Sequence, residues 1–293
     1  MRQKLAYSYI AAAAMLWGII GLFSRQLAAA GLSPMQIVWV RVAVAASVMS
    51  LWLLITDHKK LKIQWKDSLW FAGNGICSLV FFNWCYFRAI EVSSLAMAAV
   101  LLYTAPIFVQ LFSLLLFGES FTIRKTITAG IVFIGCMMVS GIGTGNGTEM
   151  SFLGFLYGIG AGIGYALYSI LGTILLGKNY ESETINVFTF IFAVLGATLL
   201  SDINLEMFVS ICNVKGIIAA AGIGILCSII PFTFYTRGLK QIPASKASVL
   251  ASLEPVIATL SGLLFFHEKL GFIQFGGICM IVGGIILIGN NRK

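Results

Sequence analysis

Residues 86–119 read YFRAIEVSSLAMAAVLLYTAPIFVQLFSLLLFGE, and residues 235–268 read YTRGLKQIPASKASVLASLEPVIATLSGLLFFHE. At an offset of 149, without a gap, Tyr86, Arg88, Ala98, Val100, Leu101, Pro106, Leu111, Leu114, Leu115, Phe117 and Glu119 all return in the second stretch. A shared apolar bias accounts for the leucines. It does not account for Tyr, Arg, Pro and Glu keeping register together. The chain therefore carries an internal repeat.

The surrounding sequence shows what is repeated. Hydrophobic residues make up 59% of the 293 and charged residues 10%; mean hydropathy is +0.96. A soluble domain runs near 45–50% apolar and about 25% charged, which excludes an ordinary cytosolic enzyme. The apolar residues fall into ten stretches: 5–24, 34–55, 69–87, 92–117, 126–143, 151–176, 185–201, 216–236, 247–266 and 270–290. A membrane span needs ~20 apolar residues. Barrel strands would alternate residue by residue, and these runs are continuous. The expected fold is an all-α integral membrane protein of ten transmembrane helices. Loops and tails then average ~8–10 residues, too little for a soluble domain. Receptors with catalytic heads and pumps with a fused nucleotide site are excluded for this chain. Arg2 and Lys4 give the first stretch the look of a signal peptide, but its apolar run is too long and nine similar runs follow.

The net charge of +8 lies in short loops, where it sets orientation rather than marking a nucleic-acid partner. With the N-terminus inside, the inner segments hold Arg2, Lys4, Lys59, Lys60, Lys62, Lys66, Arg124, Lys125, Lys178, Arg237, Lys240, Lys246, Arg292 and Lys293. The outer segments hold only Arg25, Arg88, Lys215 and Lys269. Both termini are expected to be cytoplasmic, in an inner or plasma membrane. Residues 144–150, TGNGTEM, divide a first five-helix repeat (1–143) from a second (151–293). The triplet Asn146-Gly147-Thr148 sits too close to the bilayer to weigh as a glycosylation site. Five is odd, so the second repeat enters the membrane inverted. Inverted repeats around a midplane site are a transporter signature.

The chain resembles the drug/metabolite transporter superfamily, specifically its EamA-type ten-helix exporters. The resemblance rests on Trp17-Gly18, Pro34, Arg41, Ala89 through Pro106 to Gly118-Glu119, Tyr165-Ala166, Gln241-Ile242-Pro243-Ala244-Ser245, Leu253-Glu254-Pro255-Val256 and Glu268. It covers nearly the whole chain. The sequence departs from the family at Tyr165, where Trp is frequent, and at Phe266-His267-Glu268, where Leu-Gly-Glu is usual. The resemblance implies two inverted five-helix bundles around a central cavity. It also implies export of amino acids or related metabolites without ATP.

Within the ten stretches only Arg41 and Glu254 are ionisable Asp, Glu, Lys, Arg or His residues. A charge at the bilayer centre costs at least ~2.5–3.5 kcal/mol on insertion scales. Glu254 shares a helix face with Ala247, Ala251, Ala258 and Ser261, so it faces a helix or a cavity, not lipid. Pro255 frees the Ala251 carbonyl one turn earlier. Glu254 then carries a proton, pairs with a substrate ammonium, or is a structural carboxyl bonded to its neighbours. Arg41 is expected to snorkel to the outer surface, with a pair to Glu254 as the sharper alternative.

Trp17, Asn83, Tyr86, Tyr103, Tyr165, Tyr168 and Tyr235 join Glu254 as candidate substrate-binding residues. Each is an aromatic or polar side chain at membrane depth that needs a partner, which a wet cavity or a neighbouring helix supplies. Pro106 and Pro255 mark where helices four and nine break. Topology suggests two latches, Arg88 with Glu268 outside and Arg237 with Glu119 inside. The local alternative pairs Glu119 with Arg124 and Glu268 with Lys269. Gly130, Gly135, Gly276, Gly277, Gly283 and Gly284 allow close packing or a homodimer through spans five and ten. The cysteines show no metal or redox spacing. No catalytic motif appears, and no cofactor or metal is expected. The leading reading is a secondary exporter of amino acids or similar amphipathic metabolites. An importer or facilitator of the same fold is the alternative, and a membrane enzyme or scaffold the different class.

Overall fold

The computed structural model describes residues 2–119, 122–141 and 151–289. The expected linker 144–150, with its Asn146 triplet, and the terminal Arg292 and Lys293 lie outside the described residues. Among the described residues all regular structure is helical. The first half holds α1 (Arg2–Gly18), α2 (Ile20–Ala29), α3 (Pro34–Thr56), α4 (Ser68–Ala72), α5 (Phe81–Val92), α6 (Leu95–Leu102), α7 (Ala105–Phe117) and α8 (Ile123–Val139). The second holds α9 (Phe152–Gly177), α10 (Ser182–Thr198), α11 (Leu205–Ile211), α12 (Val214–Ala221), α13 (Ile230–Leu239), α14 (Ala244–Ala251), α15 (Glu254–Phe266) and α16 (Phe272–Gly289). Seven helical segments are long and apolar enough to cross a membrane: Gln3–Ala29, Pro34–Thr56, Leu95–Phe117, Phe152–Gly177, Val214–Leu239, Ala244–Phe266 and Phe272–Gly289. The remaining apolar stretches of the sequence are helical too.

Local chemistry fixes the helix starts. Ser33 and Gln36 form a capping box at α3, with Pro34 in the first turn, so two orphan donors are satisfied reciprocally. Ser94 and Ser151 cap α6 and α9 with single bonds, their hydroxyls accepting from the Met97 and Gly154 amides.

The repeat is visible in the backbone. Two π-helical stretches, Gly73–Val80 and Gly222–Ile229, lie 149 residues apart and join α4 to α5 and α12 to α13. Such widened turns free backbone groups and recur at functional sites. Two interrupted helices follow. The first breaks at Tyr103-Thr104 and the second at Ser252-Leu253, with Pro106 and Pro255 in the first turn of the segment beyond. Both resume and end alike, on a left-handed residue: Gly118 (φ 63°) and His267 (φ 55°). The next amide then bonds back, Glu119 N–H to the Ser113 carbonyl and Glu268 N–H to the Gly262 carbonyl, each at 3.2 Å. His267 thus makes the turn that glycine makes in the first half, at the steric cost of a Cβ in that region.

The halves pack through each other. α1 lies against α13, α5 against α9, α3 against α10, α7 against α14 and α8 against α16. A bare glycine face on α9 makes one contact possible: a Cβ on Gly158 or Gly164 would meet Leu101 or Phe82 at 2.3 and 2.9 Å. α8 and α16 use their glycines on each other. A Cβ on Gly135 would meet Ile281 at 2.8 Å and the Gly277 carbonyl at 2.9 Å, and one on Gly284 would meet Val132 at 2.6 Å. Of the two uses expected for these glycines, close packing is the one seen here, between α8 and α16 of one chain.

Candidate functional site

A cavity of about 440 Å³ lies between the two halves. All eight residues proposed from sequence line it: Trp17, Asn83, Tyr86, Tyr103, Tyr165, Tyr168, Tyr235 and Glu254. They arrive from α1, α5, the α6–α7 break, α9, α13 and the α14–α15 break. Sequence reasoning missed Phe82, Ser169, Phe232 and Phe266, which complete the wall, and it placed Arg25 and Arg41 elsewhere although both reach the cavity.

Glu254 opens α15 immediately after the break. There the positive end of the helix dipole favours a carboxylate. The Tyr165 hydroxyl donates to Oε2 at 2.8 Å. α1 presses on the same point, since a Cβ on Gly18 would sit 2.9 Å from the Glu254 carbonyl oxygen and 2.6 Å from Ile257. The Trp17 indole N–H is buried and has no hydrogen-bond partner among the described residues, while its ring packs 5.2 Å from Phe232 and 5.4 Å from Tyr235. Leaving a buried donor unmade costs roughly 1–3 kcal/mol, so this N–H is a donor held ready at the cavity wall. The Asn83 amide N–H, in contrast, is spent on the Leu79 carbonyl at 2.7 Å.

At one end the cavity is floored by a buried polar network. Tyr168 donates to Asn186 Oδ1 at 2.8 Å and lies 2.9 Å from the Thr236 hydroxyl; Ser169 and Tyr235 share a hydroxyl–hydroxyl bond of 2.7 Å. Beyond the floor an ionic cluster ties loops to helix ends. Lys60 meets Glu181 at 2.8 Å, Arg237 pairs with Glu183, and Lys178 meets Asp67 at 2.8 Å while Tyr180 donates to Asp67 at 2.8 Å. The Lys178 ammonium and the Tyr180 hydroxyl hold the Asp67 carboxyl below its ordinary value. Glu181 raises Lys60 above its own. At the other end stand Arg25 and Phe266. The Arg25 guanidinium bonds Glu268 at 2.7 Å and lies 3.9 Å over the Phe266 ring.

One expectation about charge is corrected. Arg41 does not snorkel to the surface; it is only 9% exposed. Its Nε donates to Ser228 Oγ at 2.8 Å and Nη2 to the Cys227 carbonyl at 3.4 Å, and the Phe232 ring lies 5.5 Å away. The π-helical stretch supplies these acceptors, so the guanidinium is solvated by protein. Nor does it form an ion pair with Glu254 among the described residues. The latch residues also take other partners in this conformation. Arg88 pairs with Glu91 one turn along its own helix at 2.7 Å, and Glu268 with Arg25. Arg237 is claimed by Glu183, whose carboxylate is buried and needs a cation. Glu119 meets Lys125 at 3.4 Å and accepts from the Ser245 hydroxyl.

A transport protein with two repeats is what this arrangement defines, and comparison with known proteins agrees. The model of the EamA-like transporter family matches residues 4–141 and again 152–290. The chain belongs to that family. An uncharacterized transporter of Archaeoglobus fulgidus is 30% identical over 69% of this chain and 70% of its own length. The uncharacterized transporters YxxF and YwfM of Bacillus subtilis are 25% and 23% identical, over 93% and 98% of this chain and 86% and 95% of theirs. A solved crystal structure with 20% identity superposes with a TM-score of 0.80, covering 96% of this chain and 95% of that one; it shares the fold.

Proposed function

We propose that this membrane transporter is a secondary exporter of amino acids or related small amphipathic metabolites. Ten helices cross the cytoplasmic membrane as two inverted five-helix bundles, residues 1–143 and 151–293, with both termini on the inner side. The inter-repeat cavity is the substrate site, and it opens alternately to the two faces. Trp17, Asn83, Tyr86, Tyr103, Tyr165, Tyr168 and Tyr235 give it an aromatic wall with polar tips. Such a wall suits a small organic solute with an apolar body. Glu254 is the coupling group: it takes a proton or the ammonium of the solute.

The observation that carries this reading is the placement of Glu254. It stands at a helix break, on the wall of a cavity built from both repeats, with Tyr165 as its hydrogen-bond donor. The repeat breaks its helices at corresponding places, as expected where a midplane site lies between half-helices. For the gates, Arg25–Glu268 with Phe266 is the latch on the outer side. The floor network and the Arg237–Glu183 cluster close the inner side.

Flux measurements in proteoliposomes test the reading. Purified protein is offered a panel of amino acids, amines and nucleosides in both directions, with and without a pH gradient. Accelerated efflux of an amino acid or close relative supports the proposal. A protein that moves no panel member in either direction refutes it.

A further inference from the structure

Lys246 stands out among the charged groups. It is 9% exposed, lies third in α14, and its ammonium makes no hydrogen bond or ion pair among the described residues. The opposite residue type is favoured at a helix N-terminus, where the dipole repels a cation. The repeat does not require it either, since Met97 holds the corresponding position in the first half, 149 residues earlier. A buried cation that makes no ion pair is costly, so a lysine here points to an anion.

The surroundings agree. Arg124 and Lys125 open α8 in the same corner, and Glu119, at the end of α7, supplies its carboxylate. That carboxylate is already engaged by Lys125 at 3.4 Å and by the Ser245 hydroxyl. Arg124 spans the corner to donate to the Leu287 carbonyl of α16 at 2.9 Å. Among the described residues Arg124, Lys125 and Lys246 thus gather around the Glu119 carboxylate. Both helices that begin here, α8 and α14, lack a side-chain cap, and the positive ends of their dipoles favour an anion.

We propose that this corner binds a phosphate group, with Lys246 as its central ligand and Arg124 and Lys125 beside it. The phosphate belongs to an anionic phospholipid headgroup in the adjacent leaflet or comes free from solution. Basic pockets between transmembrane helices take headgroups of this kind. A bound phosphate would hold the N-termini of α8 and α14 together, next to the interrupted helix that carries Glu254.

The test uses the full chain purified in a neutral detergent. Retained lipid is read by native mass spectrometry and the thermal midpoint by a melt. The arms are dioleoyl-phosphatidylglycerol, dioleoyl-phosphatidylcholine and millimolar inorganic phosphate. Wild type should retain phosphatidylglycerol over phosphatidylcholine and melt higher with it. Lys246→Met keeps the packing stem, and it should reduce retention about fivefold, the factor one lysine contributes at an anionic headgroup. Lys240→Gln, an exposed lysine on the same side of the repeat, should change nothing. A Lys246-dependent shift with phosphate and none with lipid assigns the site to the free ion. Equal binding by wild type and Lys246→Met overturns the proposal. If Lys246→Met does not fold, the wild-type arms decide, and indifference to both phosphatidylglycerol and phosphate overturns it.

Discussion

Removing the Arg25 side chain should loosen the end of the cavity where Arg25 and Phe266 stand. Arg25 holds two partners, Glu268 at 2.7 Å and the Phe266 ring at 3.9 Å. The two charged side chains are 54% and 51% exposed, so the ion pair contributes about 0–1 kcal/mol. The cation–π contact at an exposed site adds about 0.5–1 kcal/mol. Together they bias the latched form by roughly 0.5–2 kcal/mol, a factor of about 2–30 in population. Helix α2 is separated from α1 at Ile19, and Gly18 packs on Ile257, so α2 is expected to swing while α1 stays. The assay replaces Ser24, a cavity-lining neighbour of Arg25, by Cys, in a background with the exposed Cys77, Cys212 and Cys279 changed to Ala. The rate of labelling by a membrane-impermeant maleimide reports opening. Arg25→Ala should raise it by about 2–30-fold, Glu268→Gln by less because the ring contact survives, and the double variant by no more than Arg25→Ala alone. Wild-type labelling rates in both single variants would refute the latch.

Three further outcomes follow from the packing and the charges. Gly75→Ala places a Cβ 2.5 Å from the Thr189 carbonyl and 2.8 Å from the Ala193 amide; backbone cannot yield as a side chain does, so about 1–3 kcal/mol of stability should be lost in a detergent melt, whereas Gly21→Ala, with open space around it, should be tolerated. Tyr168→Phe strips the floor of a hydroxyl shared by Asn186 and Thr236, which still bond each other at 3.2 Å, so the loss should be that of a satisfied hydrogen bond, about 0.5–1.5 kcal/mol, and accessibility at that end of the cavity should rise with it. Asp67 is held below its ordinary value of 3.8 by Lys178 and Tyr180, so its contribution is present above the unfolded value and lost as pH falls through the folded one; the acid limb of the melting profile should flatten in Asp67→Asn.

Much of this architecture was legible because the sequence carries it twice. Eleven repeated residues located both interrupted helices, and Pro106 and Pro255 sit one turn beyond the actual breaks. The wall of the cavity was also legible, since a tyrosine or glutamate at membrane depth needs a polar partner, and a cavity or a facing helix is where one is found. What escaped depends on distant residues. Depth along a helix could not say which way Arg41 turns, because Ser228 and Cys227 lie in the other half, on a π-helical turn. Only the glycines Gly73, Gly75, Gly222 and Gly224, paired at the repeat offset, hinted at those widened turns. The latch partners escaped for a related reason. Arg25 has no counterpart in the repeated segment, and Arg88 finds Glu91 locally. The glycines of α8 and α16 revealed close packing but not whether the partner was the same chain.

The claim on which the account turns is that Glu254 couples transport from within the cavity. Its most direct test is the pH dependence of flux by Glu254→Gln in proteoliposomes, for whichever panel solute the wild type carries. Gln keeps the shape of the side chain and can still accept from Tyr165, so the variant should fold and melt like wild type. The account predicts that its flux no longer responds to pH or to a pH gradient. A variant whose profile matches wild type across the pH range would make Glu254 a structural carboxyl and contradict the coupling role.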